Sequence, residues 1–121
     1  MNNNFFIFVL IVVFLLYAYA SMGKGLLTAE MARQMLQSRD ITTVIDVRTQ
    51  TEWNLGHYKG ALHIPTRQIT TSKLSGISRS SGILVYCNTG QRARAAAEKI
   101  RKLGYENVYY IRGGYWTLLK S

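Results

Sequence analysis

The sequence predicts an α/β fold: a mainly parallel central sheet flanked by helices on both faces, preceded by one hydrophobic helix. Three observations carry this. Short β-branched or apolar runs alternate with segments of helical periodicity. Glycines and a single proline punctuate the junctions between them. Phe5 to Ala20 is an unbroken apolar run, with only Tyr17 and Tyr19 carrying polar atoms. Strands separated by helices need crossover connections, and those connections place helices over a parallel sheet.

Taken in order, Met1-Asn2-Asn3-Asn4 leads into the apolar run. As a helix its sixteen residues cover about 24 Å, against a bilayer core of about 30 Å. A short membrane anchor is one reading of residues 1–22. By the positive-inside rule, Lys24, Arg33 and Arg39 then put the domain in the cytoplasm. A cleaved signal peptide is the other: Ala18-Tyr19-Ala20 fits the small-x-small pattern before a cut, and the domain would then be exported. The lack of any Lys or Arg before the run favours the anchor. Residues 23–121 form the folded domain, about 100 residues, enough for a single core.

Met22-Gly23-Lys24-Gly25 reads as a linker, and Thr28 as the N-cap of a helix over 29–37 with Met31, Met35 and Leu36 inward. Ser38-Arg39-Asp40 ends it, and 42–47 is a β-branched strand ending in Asp46-Val47-Arg48. A short helix over 51–55 closes at Gly56, and Pro65 stops a short strand after Gly60. The spacing predicts a weak helix over 68–74 and a Ser/Gly-rich loop over 75–82. Gly82 to Tyr86 is a buried strand, and 92–103 a helix with Ala93, Ala96, Ala97, Ile100 and Leu103 on one face. Gly104 suits its C-terminal end. Val108 to Ile111 is the last strand, and Gly113-Gly114 turns the chain into Tyr115-Trp116.

Composition narrows the chemistry. A single cysteine forbids an internal disulfide and any paired-cysteine metal site, and two scattered histidines argue for no metal. The net charge is +9, with all fifteen Lys and Arg beyond residue 20. These are dispersed without an aromatic-interleaved stripe, so nucleic acid is not expected as a partner. Solubility, attraction to a membrane surface and capture of small anions remain.

The informative cysteine is Cys87, which heads Asn88-Thr89-Gly90-Gln91-Arg92 between strand and helix. Helix N-termini present outward N–H groups and partial positive charge, and Arg92 and Arg94 add formal charge. Such surroundings favour a thiolate, the reactive form of cysteine. The competing reading, a small hydrophobe closing a strand, leaves the glycine, the arginines and the helix start unexplained. In parallel sheets ligands bind beyond the strand carboxyl ends. The Asp46-Arg48 end and the Cys87 turn could therefore share one edge.

Four ordered segments now carry a resemblance. They are Val44-Ile45-Asp46-Val47-Arg48 with Glu52; Gly56-His57-Tyr58-Lys59-Gly60-Ala61 to Ile64-Pro65; Val85-Tyr86-Cys87 through Arg92; and Leu103-Gly104-Tyr105 through Asn107-Val108 to Gly113-Gly114-Tyr115-Trp116. The domain resembles the rhodanese family, in particular its small single-domain sulfurtransferases. The resemblance implies that Cys87 takes the outer sulfur of a small anionic donor such as thiosulfate, holds it as a persulfide and passes it to a thiol or cyanide. Asn88, Thr89, Gly90, Gln91 and Arg92 would bind the substrate: backbone N–H groups wrap the sulfur and Arg92 holds the anion. Asp46 and Arg48 would support the loops, His57 would be a structural hydrogen-bonder, and Trp116 would belong to the core or the pocket lip. No cofactor or metal is implied. The related cysteine phosphatases place arginine six residues after the cysteine; here Ala93 stands there and Arg92 comes one position early. The shorter loop suits a sulfur atom better than a tetrahedral oxyanion. A membrane-tethered sulfur carrier or a non-enzymatic protein-binding module on the same fold is the alternative.

Overall fold

The structure is a computed structural model that describes residues 3–21 and 24–119; Met22 and Gly23 of the expected linker lie outside the described residues. The apolar runs become strands β1 (Thr43–Asp46), β2 (Leu62–His63), β3 (Gly82–Tyr86) and β4 (Asn107–Tyr110). They form one sheet in the order β2-β1-β3-β4, with every neighbouring pair parallel. Leu26 makes an isolated parallel bridge to Tyr110 and occupies a fifth position beside β4. Four α-helices accompany the sheet: α1 (Asn3–Ser21), α2 (Ala29–Gln37), α3 (Gln50–Leu55) and α4 (Gln91–Lys102). Single 3₁₀ turns occupy Thr66–Gln68 and Tyr115–Leu119. The α/β class with helices on both faces is as the sequence predicts.

Period-two alternation divides the core into two layers. Ile45, Val47, Ile83, Val85 and Val108 face α4, where Ala93, Ala96, Ala97 and Ile100 are fully buried. The three buried alanines of that helix let it lie close on the sheet. Val44, Leu84 and Tyr86 face the other way, against Ala32 of α2, Ile111 and Leu118.

Two local expectations are corrected. In α2, Thr28 caps as predicted, its Oγ1 accepting from Met31 N at 3.1 Å. The inward face, however, is Ala32 with Met35 and Leu36 partly buried, while Met31 is 50% exposed. The inward face is centred on the Ala32–Met35–Leu36 side of the helix, and Met31 falls at its solvent edge. The helix expected over 68–74 is replaced by the 3₁₀ turn and further turns. Ile69, Thr70 and Thr71 are β-branched and poor helix formers. Thr70 Oγ1 instead accepts from Lys73 N at 3.2 Å, closing a turn that drives Leu74 into the core.

The apolar run forms α1, and Phe5, Phe6, Phe8 and Phe14 on it are 62–67% exposed. Among the described residues, no helix is long and apolar enough to cross a membrane. The helix expected of the run is present.

Gly82 opens β3 where the chain from α2 passes close by. A Cβ there would lie 1.8 Å from the Asp40 carbonyl oxygen, a backbone atom without freedom to move aside. Gly82→Ala is expected to cost about 1–3 kcal/mol, seen as a lower urea midpoint with an unchanged slope.

Candidate active site

From β1 the chain crosses to β2 on one side, and β3 lies on the other side of β1. The crevice beyond the carboxyl ends of β1 and β3 is therefore the topological switch point of the sheet, where open α/β sheets take ligands. Asp46 and Arg48 end β1, and Cys87 follows β3. The two segments that the sequence placed on one edge are on neighbouring strands, with Asp46 in register with Tyr86.

Cys87 is 1% exposed and packs among the apolar residues beneath α4. Burial alone would suit an inert cysteine, but its hydrogen bonds do not. Gly90 N–H donates to Sγ at 3.1 Å and Ala93 N–H at 3.4 Å. Gly90 is the N-cap of α4 and has no side chain with which to cap it. The sulfur thus accepts from the N–H of the third helical residue, the role an N-cap side chain ordinarily fills. An atom that collects helix N-terminal donors is suited to negative charge. Gly90 adopts φ 101°, and a Cβ there would lie 2.9 Å from Arg112 Cα. Both the conformation and the close approach require glycine. Thr89 Oγ1 donates to Gln91 Oε1, so both side chains are engaged along the rim of the loop.

Arg92, expected to hold a donor anion, is already held. Its Nη1 donates to Glu52 Oε1 at 2.7 Å and its Nη2 to Glu52 Oε2 at 3.0 Å. Asn88 Nδ2 donates to Glu52 Oε2 at 2.5 Å. Glu52 also closes a capping box on α3: Thr49 N–H donates to Oε1 at 3.0 Å, and Thr49 Oγ1 accepts from Glu52 N at 3.3 Å. Arg92, and next the Thr49 backbone, hold the Glu52 carboxyl well below the usual carboxylate range. Glu52 in turn raises the Arg92 guanidinium, with a smaller contribution from Cys87.

Beneath this lies a second pair. Asp46 is fully buried and Arg48 is 4% exposed. Arg48 Nη2 donates to Asp46 Oδ2 at 2.7 Å, Nε and the backbone N–H reach Oδ1 at 3.0 and 2.9 Å, and Tyr86 OH donates to Oδ2 at 2.6 Å. Arg48 also donates to the Gly56 carbonyl at 2.6 Å and lies 5.5 and 5.4 Å from the Tyr86 and Tyr115 ring centroids. Burial, then the bond to Asp46, pushes the Tyr86 phenol above its ordinary value and keeps it protonated. Asp46 and Arg48 are thus placed as braces under the loops. His57 stacks on Trp53 at 3.4 Å between centroids and donates through Nδ1 to the Trp53 carbonyl at 3.0 Å. His63 stacks on Trp53 at 4.7 Å and bonds the Arg48 carbonyl at 2.8 Å.

A surface depression of about 430 Å³ opens over the loop, lined by Arg48, Glu52, Leu55, Asn88, Thr89 and Trp116 among others. Trp116 belongs to the lip, as one of the two sequence readings had it. A second depression, of about 570 Å³, holds Thr49, Arg67 and Arg92. Among the described residues, no group of three or more His, Cys, Asp or Glu is arranged to hold a metal. Sequence reading undervalued Glu52 and Tyr86. The Thr49-x-x-Glu52 spacing signals a capping box, but nothing local signals that the same carboxylate grips Arg92 forty positions away.

Removing the Asp46 carboxylate strands a buried guanidinium. Asp46→Ala is expected to destabilise the fold by about 3–5 kcal/mol in urea titrations, with a smaller loss for Asp46→Asn. The Glu52 clamp carries a pH signature. A carboxylate with a depressed pKa contributes fully above the ordinary glutamate value of about 4.3 and loses its contribution as pH falls through the depressed one. The stability gap between the wild type and Glu52→Gln is expected to narrow on acidification below that value.

Comparison with known proteins follows the same lines. The family model described as the rhodanese-like domain matches residues 28–118. The "probable adenylyltransferase/sulfurtransferase MoeZ" of Mycobacterium tuberculosis is 31% identical over 98 residues, which cover 80% of this chain and 25% of that protein. The chain thus spans a quarter of the length of that curated relative. The crystal structure of the Alr3790 protein from Anabaena superposes with a TM-score of 0.67 at 26% identity, covering 76% of this chain and 83% of that one. The human single-domain sulfurtransferase TSTD1 shares the fold with a TM-score of 0.65 at 23% identity, covering 80% and 98%. With a buried cysteine nest at the switch point of a parallel sheet and a family match from Thr28 to Leu118, the chain belongs to the rhodanese-like domain family.

Proposed function

We propose that the protein is a sulfurtransferase that carries a sulfane sulfur as a persulfide on Cys87. The observation that carries the reading is the pair of backbone N–H groups, from Gly90 and Ala93, converging on Sγ. Those donors stabilise the Cys87 thiolate before attack and an anionic persulfide after it. The thiolate attacks the outer sulfur of the donor, and the donor's S–S bond breaks with its electron pair leaving on the remaining fragment. An acceptor thiolate or cyanide then attacks the terminal sulfur and regenerates the Cys87 thiolate. This is a two-step covalent cycle with ping-pong kinetics. Thiosulfate and cyanide are convenient assay substrates for it.

Asn88, Thr89, Gly90, Gln91 and Arg92 are the residues proposed to form the binding loop, with Asp46 and Arg48 bracing it from below. The carrier reading keeps one specific support: Cys87 is almost wholly shielded, which would protect a stored persulfide between encounters. The two readings differ in turnover, since a carrier releases its sulfur only to a dedicated partner. The exposed phenylalanines of α1 support keeping the domain against an apolar surface, of lipid or of protein.

The test is mass spectrometry of the full chain, wild type beside Cys87→Ser, after treatment with thiosulfate and separately with an alkyl hydropersulfide. The expected result is a gain of about 32 Da on Cys87, removed by cyanide and absent from the serine variant. A folded, reduced wild type that gains no sulfur from either donor would overturn the reading.

A further inference from the structure

The sulfur-transfer reading leaves the donor open, and the surroundings of the loop narrow it. Neither Arg48 nor Arg92 presents an unengaged fork toward the loop, while the exposed Arg112 packs its backbone against Gly90. Arg48 is spent on the buried Asp46, and Arg92 gives both terminal nitrogens to Glu52. The depression over Asn88 and Thr89 is lined by one carboxylate, Glu52, and by one cation, Arg48, which is neutralised from below. Its rim also carries the polar Asn88, Thr89 and Tyr115 and two exposed apolar side chains, Leu55, 85% exposed, and Trp116, 52% exposed. Arg67 lines the other depression together with Arg92. A small dianion entering over the loop would meet a carboxylate and two apolar side chains. A donor with an uncharged sulfur and an apolar body would meet complementary surface.

We infer that Glu52 is a specificity-determining residue: by occupying Arg92 it turns the site away from inorganic dianions such as thiosulfate and toward an organic hydropersulfide whose apolar body rests on Leu55 and Trp116. This rests on the sulfur-transfer reading and specifies its donor. The loading step balances without any further reagent. The Cys87 thiolate attacks the terminal sulfur of R–S–S–H. The donor S–S bond breaks, its electron pair leaves as the thiolate RS⁻, and the proton stays on the sulfur now bonded to Cys87. The marked acid strength of Glu52 agrees with its staying ionised, and so paired, throughout the neutral range.

The experiment compares second-order rate constants for persulfide formation on Cys87, read by rapid-quench mass spectrometry of the full chain. Thiosulfate and benzyl hydropersulfide are the two probes. The wild type is expected to load faster from benzyl hydropersulfide. Glu52→Gln keeps the shape and releases the Arg92 charge, so its thiosulfate constant is expected to rise about fivefold, as befits a half-exposed charge pair, with little change for the hydropersulfide. The double variant Glu52→Gln/Arg92→Gln is expected to lose that gain. Trp116→Ala is expected to slow only the hydropersulfide. A merely structural role for Glu52 would lower both donors together, because damage to the loop does not distinguish them. That outcome, or a wild type that prefers thiosulfate, overturns the inference while leaving sulfur transfer standing. Loading from neither donor overturns both.

Discussion

A buried carboxylate is expensive unless each oxygen is met by donors, and Asp46 meets that condition at the centre of this domain. Its two oxygens accept from the Arg48 backbone, the Arg48 guanidinium and the Tyr86 hydroxyl. Asp46 and Tyr86 are register partners on adjacent strands, so the carboxylate locks β1 to β3 at their carboxyl ends. Arg48 extends the lock to the Gly56 carbonyl, and the Tyr86 hydroxyl accepts from Tyr58 N–H at 3.0 Å. The floor of the switch-point crevice is thereby fixed from both flanks. Everything above it, the Cys87 loop and the start of α3, is positioned relative to this one charge pair.

On that floor, stability and chemistry use the same atoms. The Cys87 sulfur accepts from the third residue of α4 because Gly90 supplies no cap of its own. A helix end thus draws part of its satisfaction from the group proposed to react. The consequence is a nucleophile that is held in place by donors yet shielded from water. Shielding of this kind keeps water and oxidants from the sulfur, and Asn88 and Thr89 line the depression that opens over the loop. Asn88 is itself tied to Glu52, which makes Glu52 a link between the arm, Arg92 and the first turn of α3.

The electrostatic picture differs from what net charge suggests. At +9 the chain would seem ready to attract anions from any direction. Around the loop, however, Arg48 and Arg92 are each answered by a carboxylate from their own fold. Asp46 and Glu52 are a third of the chain's six acidic residues, and both sit at this site. Long-range attraction and local selection therefore act on different properties of a ligand. The general field favours approach of negative molecules, while the mouth over the loop rewards apolar surface.

Much of the fold was legible from sequence because its signals are local. The β3 run, the alanine face of α4 and the Thr28 cap each depend on neighbours within one turn or one strand. Cys87 was legible for the same reason: strand, glycine turn and helix start are consecutive. The failures have a common cause too. Periodicity over 68–74 could not reveal that Thr70 would close a turn and that Leu74 was needed in the core. Hydropathy marked α1 as a helix, but nothing in the run establishes what its exposed side chains meet. The charge state of the site lay furthest beyond the sequence. Arg92 reads as a free cation until the fold brings Glu52 across forty positions to meet it. The sequence by itself determined where the single thiol stands, in a turn that needs only its own helix for donors. Only the tertiary structure decided what the surrounding arginines are free to do, because a charge is neutralised by what lies beside it in space, and that is set by the packing of β1 and α3 against the Cys87 loop.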